Sequence, residues 1–428
     1  MKVLIISHNP VSGQSNMGKT FLSLFSRFDS SELCQLYIYP TVPNVRSCGS
    51  FFRITDKQVL KSLLRGRHPG GEILPEQIRE DQAAYEKASD ESLYRSRKNK
   101  SALRRLLRDA MWELSRWYSP ELKAWLDREN PDCIFVAPGV AKFIHNFALQ
   151  IAKDREIPVV TYICDEYYFV SQPEGTLDKL RLKLLKEKIE ALMAKTDHLV
   201  TISRELKTEY AETFRVGATH LLTGAAFETA LEPRLAENPR VISYFGNIRC
   251  NRYISLGQIG RTLDEINREL GTDYELDIYT AEKDSEILAS LERYKSVKLC
   301  GFVAGDAFVQ ALQHAQLLLH VEAFDEDSID FVKHSVSTKI ADSLASGVPF
   351  LAYGPEEISS MQHLLRHECA IAATSPEELR DMLLRALTDG AERRRVTERA
   401  ILVAKKYHNS EKNSEKLRLL LAAVSAGK

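Results

Sequence analysis

The sequence predicts an α/β protein made of two Rossmann-like halves. Short apolar runs alternate with amphipathic helical segments in both halves, as in parallel sheets that helices cover on both faces. A polar stretch with two prolines separates the halves. The chain has 428 residues, which is enough for two or three domains of roughly 100–200 residues each.

In the first half, an apolar run at 2–7, a polar loop and an amphipathic helix at 19–28 form a β-loop-α start. Further strands are predicted at 34–39, 133–137, 159–164 and 198–202. In the second half, the predicted strands are 241–245, 275–279, 297–299, 317–321 and 349–352. We expect an amino-terminal domain at 1–226, a linker at 227–240, a second domain at 241–409, and a final helix within 410–428 that packs on the first domain.

Composition excludes several classes of protein. The net charge is −1, which argues against nucleic acid as a partner. That balance hides an asymmetry, since residues 1–225 carry +5 and the remainder −6. No apolar segment is long enough to span a bilayer, and no signal peptide is recognisable. Seven scattered cysteines favour reduced thiols over disulfides or a zinc site. We therefore expect a cytoplasmic protein.

Residues 13–20, GQSNMGKT, match the G-x-x-x-x-G-K-T pattern of phosphate-binding P-loops. Asp165 and Glu166, which end another predicted strand, would suit an ATPase or kinase. However, five residues including a proline separate the first strand from Gly13, whereas a P-loop glycine follows its strand almost directly. A plain glycine-bearing loop at the carboxyl end of the strand is the alternative.

Two other clusters are open to a metal interpretation. Asp325 and Asp327 form a D-x-D after a predicted strand, and His363 and His367 lie four residues apart. Acidic loops are usually only solvated, and the histidine pair lacks the H-E-x-x-H pattern. We expect no metal at the acidic loop and surface packing for the two histidines.

The segment 336–355 is the most informative. Ser337 and Thr338 stand where a helix should begin, so their hydroxyls and the free backbone N–H groups would form an anion site beside Lys339. Asp342 lies one turn further on, within reach of a sugar hydroxyl. Gly347 would end the helix.

This segment resembles the carboxyl-terminal signature of GT-B glycosyltransferases, particularly the retaining family 4. That fold has two Rossmann-like domains that face each other across a cleft. The resemblance implies that Asp342 holds the nucleotide ribose of a nucleotide-sugar. It implies that Ser337 and Thr338 bind the diphosphate.

Three further stretches are similar to the same family, in the same order along the chain. The resemblance implies that the loop beginning at Gly246 and Asn247 supplies two cations to the diphosphate. Arg252 would take the second position, and Arg249 would replace Asn247 at the first. One of the other two stretches would bind the nucleotide base through Gly301, Phe302 and Val303. The other, the opening loop, would face the diphosphate and includes Gly18.

The resemblance implies a hexosyltransferase that needs no metal or other cofactor. Arg249, Arg252 and Lys339, with a helix N-terminus, would stabilise the charge of the leaving diphosphate. Retention of configuration by same-face attack is implied, with the leaving phosphate oxygen taking the acceptor proton. One departure is His334, which stands where the family usually has the first of two carboxylates.

The amino-terminal half should bind the acceptor. A strand ends at Tyr162 to Glu166, and Asp165 and Glu166 would bind acceptor hydroxyls; helix capping is the alternative. His8 ends the first strand and is either an acceptor ligand or structural.

A basic run leads into an amphipathic helix, and a second basic helix follows at 179–188. The run comprises Arg95, Arg97, Lys98, Lys100, Arg104, Arg105 and Arg108. The helix that it enters has apolar residues at helical spacing: Leu103, Leu106, Leu107, Ala110, Met111, Leu114 and Trp117. The two helices have either ordinary solvated faces or a docking surface for anionic lipid.

We expect a glycosyltransferase of cell-surface polysaccharide assembly, cytoplasmic or peripheral on the inner face of the membrane. Its acceptor would be a glycan or a lipid-linked glycan. The alternatives are a P-loop ATPase or kinase, and a nucleotide-sugar-binding protein without activity.

Overall fold

The computed structural model describes residues 1–13, 16–78, 102–169 and 175–427, without the side chains of residues 16 and 102. The chain divides into two compact units, one formed by Met1–Leu221 with Glu411–Lys428 and the other by Leu222–Ser410. The start of the predicted basic run, Arg95, Arg97, Lys98 and Lys100, lies outside the described residues.

The first unit contains an eight-stranded sheet in the order β4-β3-β2-β1-β5-β6-β7-β8, parallel except for β4 against β3. The strands are β1 Val3–Ser7, β2 Leu33–Tyr37, β3 Ser50–Arg53, β4 Gly71–Ile73, β5 Cys133–Ala137, β6 Val159–Ile163, β7 Thr196–Thr201 and β8 Ala218–His220. Every residue of β1, β2, β5 and β6 is buried, as the uninterrupted apolar runs predict.

Helices cover this sheet. They are α1 Asn16–Leu24, α2 Asp56–Arg65, α3 Ala102–Leu114, α4 Pro120–Glu129, α5 Lys142–Arg155, α6 Thr176–Met193 and α7 Arg204–Phe214. The first helix is displaced from its predicted range of 19–28, because after Leu24 the chain forms turns in which Phe25 and Phe28 are buried.

The second unit contains a six-stranded parallel sheet in the order β11-β10-β9-β12-β13-β14. Its strands are β9 Val241–Phe245, β10 Glu275–Tyr279, β11 Val297–Gly301, β12 Leu317–Val321, β13 Phe350–Tyr353 and β14 Ile371–Ala373. Its helices are α8 Arg252–Leu270, α9 Ser285–Glu292, α10 Gly305–His314, α11 Glu326–Val332, α12 Thr338–Ala345, α13 Ser359–His367, α14 Leu379–Thr388 and α15 Gly390–Tyr407.

The last helix, α16 Ser410–Ala426, packs within the first unit. Leu417 and Leu421 are fully buried. Arg418 donates through both terminal nitrogens to the carboxylate of Glu32, at 3.0 and 2.9 Å. Burial of the two leucines and the forked ion pair together hold this helix in place.

Helix α3 does not bury the face that the sequence pattern indicates. Leu103, Leu107 and Leu114 are 50%, 60% and 74% exposed. Instead Trp112 is fully buried, where its ring stacks on Phe143 with centroids 4.2 Å apart. The apolar stripe predicted from leucine spacing is therefore largely a surface feature.

The stretch 227–240, expected to be a linker, hydrogen-bonds to the end of α12. The N–H of Ala230 donates to the carbonyl of Ala345 at 2.9 Å, and the N–H of Arg234 donates to that of Gly347 at 2.7 Å. Gly347 has φ +77°, and a Cβ there would lie 2.9 Å from the Cβ of Ala230. Glycine is thus required for conformation and for space.

We expect Gly347→Ala to destabilise the second unit by about 3 kcal/mol, because left-handed strain and overpacking add. Gly271→Ala is the matched control: Gly271 has φ +66° but no heavy atom within 4 Å of an added Cβ, so only strain of about 1 kcal/mol applies. Urea unfolding measures both losses. Equal losses would contradict the packing argument.

Candidate functional site

In the second sheet, the direction in which successive strands are added reverses between β9 and β12. From β9 the chain proceeds to β10 and β11 on one side, and β12 returns to the other side of β9. Parallel sheets bind ligands outside the carboxyl ends of the strands at such a point. The residues that follow these two strands are therefore the first candidates for a site.

A buried ion pair joins the segments that follow β9 and β12. Glu322 comes directly after β12, and Arg252 begins α8, which follows β9. The Nε and Nη2 atoms of Arg252 lie 2.8 and 2.7 Å from Oε2 of Glu322. The two side chains are 18% and 3% exposed. The pair thus links the two strands at the point where the sheet reverses.

Neighbours fit closely around Glu322. A Cβ on Gly354 would lie 2.8 Å from the Cβ of Glu322, so glycine is needed there. The hydroxyl of Ser255 donates to the Glu322 carbonyl at 2.8 Å. His320 Nε2 lies 3.2 Å from Oε1 of Glu322, without the alignment of a hydrogen bond.

Neighbouring side chains determine the pKa of Glu322. Burial by itself raises its pKa, but His320 and Arg252 outweigh burial and hold the pKa below its ordinary range. Glu322 also raises the pKa of Arg252 against the effect of burial. Both groups are therefore charged at neutral pH.

Arg249 forms a second ion pair nearer the surface. Its Nε and Nη2 donate to the two carboxylate oxygens of Glu282 at 2.7 and 3.0 Å. This fork lowers the pKa of Glu282 to about 2. The Arg249 side chain is 54% exposed, and its N–H donates to Oδ1 of Asn247 at 2.8 Å.

A third cation, Lys339, lies in the first turn of α12. Its Nζ lies 3.9 Å from the ring centroid of Phe308, and that ring meets Phe245, the last residue of β9, edge to face at 5.5 Å. Phe245 in turn stacks on Tyr279 at 4.5 Å. This aromatic cluster places Lys339 at the carboxyl edge of the sheet.

The helix start predicted at Ser337 and Thr338 is present. Ser337 is the N-cap of α12, although its side chain makes no capping hydrogen bond, and its N–H donates to the hydroxyl of Ser360. Asp342 is buried, and its Oδ1 accepts a hydrogen bond from the N–H of Ala226 at 2.9 Å. One carboxylate oxygen of Asp342 is therefore already engaged by the backbone.

The carboxyl end of β11, in the same sheet, is formed by Gly301, and Phe302 and Val303 come directly after it. Gly301 ends β11 with φ +76°, and Phe302 is 69% exposed. Gly246, which follows β9, packs on Tyr244: a Cβ there would lie 2.9 Å from the tyrosine oxygen. The acidic loop after β12 has a structural function, since Asp325 caps α11 by accepting from the N–H of Ser328 at 3.0 Å.

In the first unit, His8 follows β1 and Asp165 and Glu166 follow β6, so all three lie at the carboxyl edge of that sheet. Oε1 of Glu166 accepts from the N–H groups of Tyr168 and Phe169, which is a loop-capping contact. Tyr162 is fully buried and its ring stacks on Phe135, so this side chain packs in the core.

The loop after β1 differs from a P-loop in its hydrogen bonding. Two of its N–H groups already have side-chain acceptors: that of Val11 donates to Gln35 at 2.9 Å, and that of Gly13 to Asn44 at 3.2 Å. A P-loop directs its N–H groups to phosphate. Gly18 is buried within α1, and the ATPase alternative is not favoured.

His363 is buried, contrary to the expectation of surface packing. Its Nε2 lies 3.0 Å from Nε2 of His408, whose Nδ1 lies 2.9 Å from the carbonyl oxygen of Thr223. Burial lowers the pKa of His408 to about 4. His408 is therefore neutral, and this contact joins three sequence-distant segments of the second unit.

Residues 260–418 match a family described as glycosyl transferase-like. This stretch is therefore similar to glycosyl transferase-like domains. It includes β10 to β14 and with them Glu282, Glu322, Lys339 and Asp342. The expected kinship with glycosyltransferases is thereby confirmed. No curated protein sequence matches the chain.

Solved structures are similar over nearly the whole chain. HepE of Anabaena, in complex with UDP, has a TM-score of 0.63 at 12% identity, covering 99% of this chain and 100% of that one. Sucrose-phosphate synthase of Thermosynechococcus elongatus has 0.64 at 11%, covering both chains completely. A UDP-forming trehalose-phosphate synthase of Burkholderia vietnamiensis has 0.59 at 9%, covering 99% and 100%. These likenesses confirm the predicted GT-B fold.

Two carboxylates of the candidate site were absent from the sequence prediction. Glu322 and Glu282 were missed because their partners are 70 and 33 residues away in the chain. The position of Glu322, directly after a buried strand at the reversal point, is the signal that could have found it.

In the described part of the chain, no helix combines the length and the apolar character needed to cross a bilayer.

We expect Glu322→Gln to destabilise the second unit by about 3 kcal/mol or more, because it leaves the mostly buried charge of Arg252 without its partner. Glu282→Gln is the matched control and should cost less than about 1 kcal/mol, since Arg249 is half exposed and water can solvate it. Equilibrium unfolding at pH 7 measures both.

The loss caused by Glu322→Gln should depend on pH. The folded-state pKa of Glu322 is depressed, so its carboxylate stabilises the fold above the unfolded-state pKa. That contribution should disappear as the pH falls below about 4.3. A difference between wild type and variant that grows on acidification would contradict this sign.

Proposed function

We propose that the chain is a glycosyltransferase that takes a sugar from a UDP-sugar and binds that donor in its second unit. The observation that carries this proposal is the set of cationic groups at the carboxyl edge of the second sheet, within and beside a glycosyl transferase-like domain. Arg249 and Lys339, with the first turn of α12, would bind the diphosphate.

Structural neighbours support UDP as the nucleotide. HepE was crystallised with UDP and with UDP-glucose, and the Burkholderia synthase is named as UDP-forming. The proposed donor for this chain is accordingly a uridine diphosphate sugar. Gly301, Phe302 and Val303 are the proposed contacts of the base, and Asp342 is the proposed contact of the ribose.

The proposed chemistry needs no metal. Negative charge develops on the departing diphosphate, and fixed cations with a helix N-terminus can stabilise it. Arg252 would act here through its Nη1, since Nε and Nη2 are bound to Glu322. We propose retention of configuration, with the acceptor proton passing to the leaving phosphate oxygen, and an acceptor bound by His8 and Asp165 in the first unit.

We expect UDP to raise the melting temperature, because a ligand that binds only the folded state stabilises it. Lys339→Gln and Arg249→Gln should each weaken UDP binding about tenfold, the equivalent of one lost charged hydrogen bond. Lys295→Gln, an exposed lysine at the amino end of β11, is the control. Isothermal titration calorimetry gives the three affinities; equal affinities would refute the assignment.

A binding protein without transferase activity is the second candidate. It is favoured by the finding that Arg249 and Arg252 are both already paired with carboxylates, which reduces the positive charge available to a leaving group. UDP-glucose hydrolysis and transfer assays, with EDTA present, distinguish the two. Turnover in EDTA supports the metal-independent enzyme, whereas UDP binding without any turnover supports the binding protein.

We also propose that the first unit docks on anionic membranes, where a lipid-linked glycan would be its acceptor in surface-polysaccharide assembly. Helices α3 and α6 pack against each other, and both expose leucines: Leu103, Leu107, Leu114, Leu177 and Leu180. Arg104, Arg105, Lys179 and Lys183 are on the same two helices. Basic residues interspersed with exposed apolar ones suit an anionic bilayer surface.

We expect the protein to co-sediment with phosphatidylglycerol vesicles and not with phosphatidylcholine vesicles, and high salt should weaken this binding. The double change Leu103→Ser/Leu107→Ser should reduce binding several-fold by removing inserted apolar surface. Leu419→Ser, at an equally exposed leucine of α16, is the control. Equal binding to both vesicle types would refute the proposal.

A further inference from the structure

A small surface cavity of about 230 Å³, about half open to solvent, lies beside α8 and the end of α9. Five of its lining residues come from one face of α8, and three come from the end of α9 and the residues directly after it. Its volume is below the about 300–1,000 Å³ of pockets for drug-sized ligands. The cavity therefore suits a small molecule.

Helix α8 has glycines where it approaches the residues that follow α9. A Cβ on Gly257 would lie 3.3 Å from Cε2 of Tyr294, and a Cβ on Gly260 would lie 2.6 Å from Cγ2 of Val297. Gly257 itself lines the cavity. The shape of the cavity thus depends on a position where α8 has no side chain.

The lining is cationic. Arg261 and Arg293 both line the cavity, and no carboxylate is among the lining residues. Over the described ranges of the chain, neither guanidinium has an ion pair with an acidic side chain. Two unneutralised guanidinium groups in one concave site favour an anion, and arginine matches phosphate geometry through paired hydrogen bonds.

The other polar groups also present donors. The hydroxyl of Tyr353 donates to Oε1 of Gln258 at 2.8 Å, so the free end of the Gln258 amide is its NH₂ group. Arg293 is held in place, because its Nη2 donates to the hydroxyl of Tyr294 at 2.8 Å and its guanidinium lies 4.9 Å from that ring centroid. Two guanidinium groups and one amide NH₂ therefore line the same small space.

Apolar and aromatic surface completes the lining. Tyr253 and Ile254 contribute from the first turn of α8, and Ser290 offers its oxygen as an acceptor because its hydroxyl proton is donated to the carbonyl of Ile287 at 2.6 Å. A ligand with a phosphate at one end and a hydroxylated ring at the other satisfies all of these groups.

We propose that this cavity binds a small sugar phosphate, a phosphate monoester with a single ring. The phosphate lies between Arg261 and Arg293 and accepts a hydrogen bond from the Gln258 amide. The ring lies on Tyr253, with a hydroxyl donating to Ser290. This site uses neither Arg249 nor Lys339, so it is separate from the donor site proposed above and does not rest on it.

Ribose 5-phosphate is the probe, and ribose is the uncharged control. In calorimetry with the full chain, ribose 5-phosphate should bind and ribose should not. Arg261→Gln/Arg293→Gln should weaken binding at least about tenfold, since charged hydrogen bonds are lost. Arg268→Gln, an exposed arginine near the end of α8, should leave affinity unchanged. The melting temperature without ligand shows whether each variant is folded.

The two proposed sites are separated by crossing their variants. The double arginine variant should keep its affinity for UDP, and Lys339→Gln should keep its affinity for ribose 5-phosphate. No detectable binding of ribose 5-phosphate, equal binding of ribose, or wild-type affinity in the double arginine variant would each overturn the proposal. Loss of ribose 5-phosphate binding in Lys339→Gln would also overturn it, by placing the phosphate at the donor site.

Discussion

The second unit is organised around one buried charge pair, Arg252 with Glu322. Burial of an isolated carboxylate is strongly unfavourable, so Glu322 depends on the guanidinium that begins α8. The pair connects the segment after β9 to the segment after β12, and these strands are the two where the sheet reverses. Gly354 and Ser255 are then constrained as well, because one must leave space for Glu322 and the other binds its carbonyl.

This pair divides the cations of the edge into two kinds. Arg252 is largely a structural group, with one terminal nitrogen left for a ligand, whereas Arg249 and Lys339 lie nearer to solvent. Lys339 is supported by aromatic rings of β9, β10 and α10. A ligand diphosphate would therefore meet a charge pattern that is already positioned before it binds, which is the condition for electrostatic stabilisation without reorganisation.

The charge asymmetry between the halves has a local counterpart in each unit. In the first unit, basic side chains lie on α3 and α6 beside exposed leucines. In the second unit, where acidic residues are in excess, a few arginines and lysines are placed at the carboxyl edge of the sheet and around the cavity at α8. Average charge is thus less informative about this protein than the position of individual side chains.

Sequence patterns predicted the buried strands well, because a parallel strand covered on both faces must be apolar at every position. They missed β3, β4, β8 and β14, which are three or four residues long and lie at or near the sheet edges. They also misjudged helices where a single contact outweighs periodicity. In α3, Trp112 is the buried residue, because its ring stacks on Phe143 and its indole N–H donates to Asp56. His363 is buried, where it contacts His408.

By itself, the sequence determined the two α/β halves, the helix that begins at Ser337, and the cations near a predicted phosphate site, since all of these depend on local pattern. The tertiary structure alone decided which charges are neutralised and which stay available. Arg252 meets Glu322 across 70 residues and Arg249 meets Glu282 across 33. Such pairing depends on how strands are ordered in the sheet, and the local sequence does not show which residues lie close to each other across that sheet.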